Sequence, residues 1–315
     1  MQHWNSYWNN TKTLNSFAES YHQQGYSGDI ALFWHDIFES FANNTAILDI
    51  ATGNGGLAVL AQQYNTSYKL IATDAADINP LALFGVLDDC YNALQQIQFI
   101  GNMPTEHLAF SDGSFDLVIS QFGFEYAPLT TALEQIHRVL KYNGQFIALV
   151  HSSRSFITQD CIAGITVLHQ LLYENGLIEQ LSLYAHICQS LSNIKEPTTH
   201  QLQQLTEHNK ALLETFKQTQ LRFTEENQQD WFNLIAKDLV ELIMQSQSLT
   251  VAKVERIKQD LQYFLQRIKE QIASAWTEQQ AEKVKELCLL NWNKVSLQPL
   301  QIQEGILCWI LRLEK

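Results

Sequence analysis

Basic side chains are scarce in this 315-residue chain: 20 lysines and arginines stand against 33 aspartates and glutamates, for a formal net charge of −13. That balance excludes a nucleic-acid backbone as the main partner, because phosphate binding rests on Lys and Arg. Long apolar runs are missing too. No stretch approaches the roughly 18 residues that a spanning helix needs, so no membrane span is expected. The opening residues, MQHWNSYWNN, have neither the basic patch nor the apolar run of a secretory signal, which points to a cytoplasmic protein. The five cysteines (Cys90, Cys161, Cys188, Cys288 and Cys308) form no C-x-x-C pair and read as buried thiols in a reducing compartment. No His/Cys/Asp cluster has metal-ligand spacing, so no metal is expected.

Glycine nearly vanishes from the second half, where Gly176 is followed next by Gly305. Long helical patterns take over there. In VAKVERIKQDLQYFLQRIKEQIASAW, residues Val254, Ile257, Leu261, Phe264, Ile268 and Ile272 recur every three or four positions. Six helices fit between Ser155 and Trp292, with breaks near Gly176, Pro197 and Glu225. The charge changes at the same place: residues 1–151 hold 4 basic and 14 acidic side chains, residues 152–295 hold 14 and 17.

Before this change, strand-like runs alternate with helix-like ones: AILDIA, GLAVLAQQY, YKLIATD, LALFGVLDDCYNAL, IQFIG, FDLVISQF, LTTALEQIHRVLKY and GQFIALVHSS. The alternation predicts an α/β, doubly wound, Rossmann-like sheet with ligands at the carboxyl ends of its strands. Residues 1–45, with Trp4, Tyr7, Trp8, Phe17, Tyr21 and Tyr26, predict one or two helices ahead of the first strand. The final VSLQPLQIQEGILCWILRLEK returns to strand character around Gln303 to Gly305, a hairpin rejoining the sheet. Four segments are therefore expected: an N-terminal helical segment (1–45), a Rossmann-like core (46–152), an all-helical insertion (153–293) and a C-terminal β-hairpin (294–315).

The stretch ILDIATGNGGLA, residues 47–58, is a buried strand running into a glycine-rich turn that lets a ligand approach the backbone. A P-loop is excluded, because no lysine follows the glycines. A dinucleotide loop stays open, since Gly53, Gly55 and Ala58 fit G-x-G-x-x-[GA] and Asp74 follows about 20 residues on. Asp49, four residues before Gly53, suits an ammonium group better than a pyrophosphate, which favours a cofactor bearing an amino acid.

Motifs further along carry a family resemblance. LDIATGNG, ATD ending in Asp74, GNMPTEHLAFSDGSFDLVIS and RVLKYNGQFIAL occur in the order of the motifs of class I S-adenosylmethionine-dependent methyltransferases, and the chain resembles that family (type 11-like) over residues 45–152. The terminal hairpin is similar to the family's antiparallel last strand. The resemblance implies that Asp49, Ala51, Thr52, Gly53 and Gly55 surround the methionine end of S-adenosyl-L-methionine and of its product S-adenosyl-L-homocysteine. It also implies that Asp74, with Ala75 beside it, accepts the ribose hydroxyls, that Asn102 and Met103 meet the adenine, and that Gln121 and Phe122 line the floor beneath the sulfonium. Ala51 replaces a common glycine, at little expected cost because a methyl group is small. Asn102 replaces the usual aspartate, and its amide oxygen can still accept from an adenine amino group. KYNG replaces KPGG and affects only a turn.

What this implies functionally is methyl transfer by in-line displacement, where the protein aligns the reactants and excludes water. If the acceptor is a hydroxyl or an acidic carbon, a base must take its proton. Glu125 or His151, after the fourth and fifth strands, could take it, and Tyr126 beside Glu125 is a further catalytic candidate on the acceptor side. The family's asparagine-proline-proline-tyrosine motif for planar amines is absent at 121–126. A small-molecule acceptor under a lid made by the helical insertion is expected. The alternatives are a protein or carrier-bound acceptor docked on that insertion, and a non-catalytic cofactor-binding assembly protein.

Overall fold

The computed structural model describes residues 1–15, 25–173, 176–192, 194–244 and 249–315; Phe17 and Tyr21 lie outside them. The strands are β1 (Ala46–Ile50), β2 (Lys69–Thr73), β3 (Gln98–Ile100), β4 (Phe115–Gln121), β5 (Leu140–His151), β6 (Lys294–Ile302) and β7 (Gly305–Glu314). Helices α1 (Gln2–Asn10) and α2 (Gly28–Glu39) precede β1, and α3 (Gly56–Tyr64) connects β1 to β2. Single turns α4 (Pro80–Leu83) and α5 (Tyr91–Leu94) lie before β3, and α6 (Leu129–Val139) joins β4 to β5. Between β5 and β6 run α7 (Phe156–Leu172), α8 (Leu177–Leu191), α9 (Thr199–Arg222), α10 (Glu226–Met244), α11 (Val251–Ser274) and α12 (Glu278–Cys288).

The chain divides into two compact units, residues 1–158 with 273–315, and residues 159–272. In the first, one sheet runs β3-β2-β1-β4-β5-β7-β6. The pairings among β1 to β5 are parallel, while β7 is antiparallel to both β5 and β6. Strands buried on both faces need continuous apolar runs, and Ile47, Leu48 and Ile50 of β1 and Leu117, Val118 and Ile119 of β4 supply them. Each such side chain contributes roughly 1.5–3 kcal/mol through burial.

Two sequence expectations change in detail. α12 falls within the expected insertion 153–293, yet its stripe Ala281, Val284 and Cys288 packs in the same core as Val118, Phe146 and Leu311 of the sheet, so it belongs to the first unit. The helix-like LALFGVLDDCYNAL forms only the two single turns. Asp88 Oδ2 accepts the backbone N–H of Gly85 at 2.7 Å, a local turn that competes with helix.

The described residues of the second unit form helices and the turns that join them. Leu168, Leu171, Leu181, Leu212, Phe232, Leu239, Val254 and Ile268 are buried. Gly164 lets α7 meet α10 closely, since a β-carbon there would lie 2.8 Å from the ring of Trp231. Among the described residues no helix is long and apolar enough to cross a membrane, and no group of three or more His, Cys, Asp or Glu side chains could hold a metal ion.

Candidate cofactor and acceptor site

Every candidate cofactor or catalytic residue lies at or just beyond the carboxyl ends of β1 to β5, on one edge of the sheet. β1 ends at Ile50, and the turn after it bends through left-handed backbone at Ala51 (φ 52°), Gly53 (φ 56°) and Gly55 (φ 89°). The cost of Ala51 is thus set by its backbone rather than by methyl size, at roughly 1–2 kcal/mol for an L-residue in this region. Its methyl group fits because Gly123 faces it: a β-carbon at Gly123 would lie 2.5 Å from Ala51 Cβ.

Beneath the turn, Asp49 is 1% exposed and accepts the Thr52 hydroxyl at 2.5 Å. Burial is the main cause that pushes its carboxyl up to about 7, against the opposing hydrogen bonds from Thr52 and the Ala58 backbone. Just after the neighbouring strand β2, Asp74, also buried, accepts the backbone N–H of Gly53 at 2.8 Å through Oδ2 and that of Ala76 at 2.7 Å through Oδ1. Burial raises its carboxyl above the ordinary range, while those two bonds oppose the rise. Asp74 therefore ties the glycine turn to the loop after β2, and each of its oxygens keeps lone-pair capacity for a further donor. Ala75, next to it, is half-buried. Asn102 is exposed at φ 56° and gives its Nδ2 to Asp77 Oδ1 at 3.3 Å, leaving its Oδ1 as an acceptor. The half-buried Met103 donates its backbone N–H to Asp74 O at 2.8 Å.

β4 and β5 supply the other half of the site. Phe122 takes φ 55°, and its ring stacks on His151 with centroids 4.4 Å apart and planes 10° apart. Glu125 sits in the short helical turn Phe124–Tyr126 and accepts the backbone N–H of His151 through Oε1 at 2.7 Å. Its Oε2 is out of solvent contact, with no hydrogen-bond partner among the described residues. Burial pushes the Glu125 carboxyl up to about 7, and burial alone pushes the His151 imidazole down to about 3. Tyr126 meets His151 edge-on at 6.4 Å and Trp4 at 5.8 Å.

Three contributors went unassigned or underweighted in the sequence. Trp8 of α1 lies over the glycine turn, where a β-carbon at Gly53 would come within 2.4 Å of its ring. Asn54, inside the turn and fully buried, donates through Nδ2 to the carbonyls of Trp8, Thr11 and Thr13 at 3.2, 3.3 and 2.9 Å, holding the N-terminal segment down. Trp34 of α2 donates its indole N–H to Gln121 Oε1 at 2.5 Å. The signal for Asn54 was available: a polar amide flanked by glycines needs buried partners. Trp34 gave none, because its helical spacing with Ile30 and Phe38 reads as core packing.

The family profile described as "Methyltransferase domain" matches residues 48–148, the span that carries this edge of the sheet. Residues 48–148 are a methyltransferase domain. The methyltransferase domain has curated relatives. One is the ubiquinone/menaquinone biosynthesis C-methyltransferase UbiE of Rickettsia felis, 36% identical over 113 residues, or 35% of this chain and 45% of the relative. Another is the protein of the same name from Geotalea uraniireducens, 29% identical over 154 residues, or 48% and 64%. The chain thus spans about half to under two thirds of the length of these relatives. A solved geranyl diphosphate C-methyltransferase from Streptomyces coelicolor superposes with a TM-score of 0.34 at 14% identity over 39% of this chain and 45% of that one.

The methyltransferase domain has polar groups of the types an adenosyl-methionine ligand requires. Asp49 and Asp74 are acceptors in or beside the turn; among the described residues Asn102 keeps a free amide oxygen and Gln121 has a buried Nε2 with no partner.

Proposed function

We propose that this chain is a cytoplasmic enzyme that transfers the methyl group of S-adenosylmethionine to a small molecule, at a carbon or oxygen whose proton Glu125 removes. Bound, the cofactor supplies an electrophilic methyl group on a sulfonium. Asp49, Ala51, Thr52, Gly53 and Gly55 take the methionine end, and Asp74 with Ala75 takes the ribose. Asn102 and Met103 take the adenine, with Gln121 and Phe122 below the sulfonium. The observation that carries the choice of acceptor is Glu125: a carboxyl group held by the His151 backbone, shifted to about 7, with one buried oxygen that has no partner among the described residues, beside the fourth and fifth strands. A base is most effective when its pKa lies near the working pH. His151, pushed down to about 3, is neutral there and too weakly basic for the role, so it serves as a flat wall with Phe122. Curated relatives named as C-methyltransferases support a carbon acceptor. The helical unit, residues 159–272, is assigned to acceptor recognition.

The test has two parts. Calorimetry should show binding of S-adenosylmethionine and S-adenosylhomocysteine and none of NAD; tight NAD binding without response to either sulfur compound overturns the cofactor. Labelled methyl transfer to a panel of phenols, hydroquinones and amines should favour the first two, and exclusive labelling of amines overturns the base.

A further inference from the structure

Asp49 pairs in register with Ile119 of β4, so Gln121, two residues further along, lies on the same face of the sheet as Asp49. Gln121 is 7% exposed and Trp34 is fully buried. An indole N–H can only donate, so the bond from Trp34 fixes the Gln121 amide with its oxygen toward the tryptophan. The Nε2 that remains is buried and meets no acceptor among the described residues. The bond to Trp34 uses only the amide's oxygen, so the two N–H donors left buried on Nε2 point to an acceptor atom brought by a ligand.

The position says which atom. An α-amino acid carries an ammonium and a carboxylate on one carbon and needs an acceptor and a donor side by side. Adjacent strands β1 and β4 present Asp49 and Gln121 as diagonal neighbours on one face. Asp74 and Asn102, which offer acceptors to a nucleoside, follow β2 and β3 on the other side of β1.

Building on the cofactor reading, we infer that Gln121 Nε2 donates to the methionine carboxylate of the cofactor, and that Trp34 is a positioning residue that keeps the amide turned for it. No catalytic step passes through either residue.

The probes are S-adenosylhomocysteine and its analogue lacking the carboxylate, 5′-deoxy-5′-(3-aminopropylthio)adenosine, measured by calorimetry on the full chain. Gln121→Met should weaken S-adenosylhomocysteine about tenfold or more and leave the analogue within about twofold. The nearly isosteric Gln121→Glu, which keeps an acceptor for Trp34, should do the same more strongly by setting a carboxylate against a carboxylate. Trp34→Phe should cost the acid a few-fold and spare the analogue. Equal losses for both ligands would make Gln121 merely structural, and no loss for either would assign its donors to the methyl acceptor; both results overturn the inference. Wild-type protein that binds neither ligand overturns the cofactor reading itself, whatever the variants do.

Discussion

The backbone N–H of His151 donates to Glu125 Oε1 at 2.7 Å, while the imidazole of the same histidine lies flat against Phe122. The main chain of β5 thus orients the carboxyl, and the histidine ring is not needed for that bond. Glu125→Gln should slow methyl transfer about 100-fold or more with cofactor affinity nearly intact. The wild-type rate should rise with pH through about 7, where the carboxyl ionises, and the variant should lose that rise. His151→Asn keeps the backbone bond and should cost much less. Equal rates for wild type and Glu125→Gln would leave catalysis to positioning alone.

The same carboxyl links folding to pH. Its folded-state value, about 7, lies above the ordinary 4.5, so the folded protein holds the proton more tightly than the unfolded chain does. Stability from this group is therefore fully present below about 4.5 and declines as pH rises to about 7. Glu125→Gln escapes the decline. Its melting temperature relative to wild type should be higher at pH 8 than at pH 5, by the equivalent of a few kcal/mol at most. A pH-independent difference would contradict the shift.

Asp74 holds two loops through Gly53 and Ala76 and is also assigned to the ribose. Removing bonds to a charged acceptor costs roughly 1.5–3 kcal/mol each. Asp74→Ala should weaken S-adenosylhomocysteine about tenfold or more in calorimetry. Unchanged affinity would mean that the second motif is misassigned.

Trp8 and Gly53 form a pair that a thermodynamic cycle can separate. Gly53→Ala places a methyl group where the Trp8 ring stands and keeps a left-handed backbone. The expected loss in denaturant unfolding is roughly 1–3 kcal/mol. In a Trp8→Ala background the clash disappears, and only about 1–2 kcal/mol of backbone strain should remain. Full additivity would place the ring elsewhere in solution.

Replacing residues 159–272 with a short linker should abolish transfer while the remaining unit, with its own buried core, binds S-adenosylhomocysteine within a few-fold of the full chain. Full activity on the native acceptor refutes the recognition role. Loss of binding in a folded product shows that the helices help to build the cofactor site.

The alternation of apolar runs from Ile47 to His151 was enough to read a parallel sheet, because strands buried on both faces cannot hide their composition. The glycine turn, Asp74, and the segments after β4 and β5 were legible for a related reason: chemistry at a sheet edge depends on residues at fixed distances from strands that the pattern already locates. Periodicity also marked six helices with their breaks, yet it could not say that α12 packs in the sheet's core, since an apolar stripe does not name its partner. Composition likewise could not choose between Glu125 and His151. Their ordinary pKa values leave both available, and only burial on folding, which penalises whichever form is charged, moves one up to about 7 and the other down to about 3. The contacts of Trp34 with Gln121 and of Asn54 with the carbonyls near Trp8 span 87 and 46 residues of sequence. No local pattern encodes such pairs; they exist because the packed core brings distant donors to acceptors that would otherwise be buried alone.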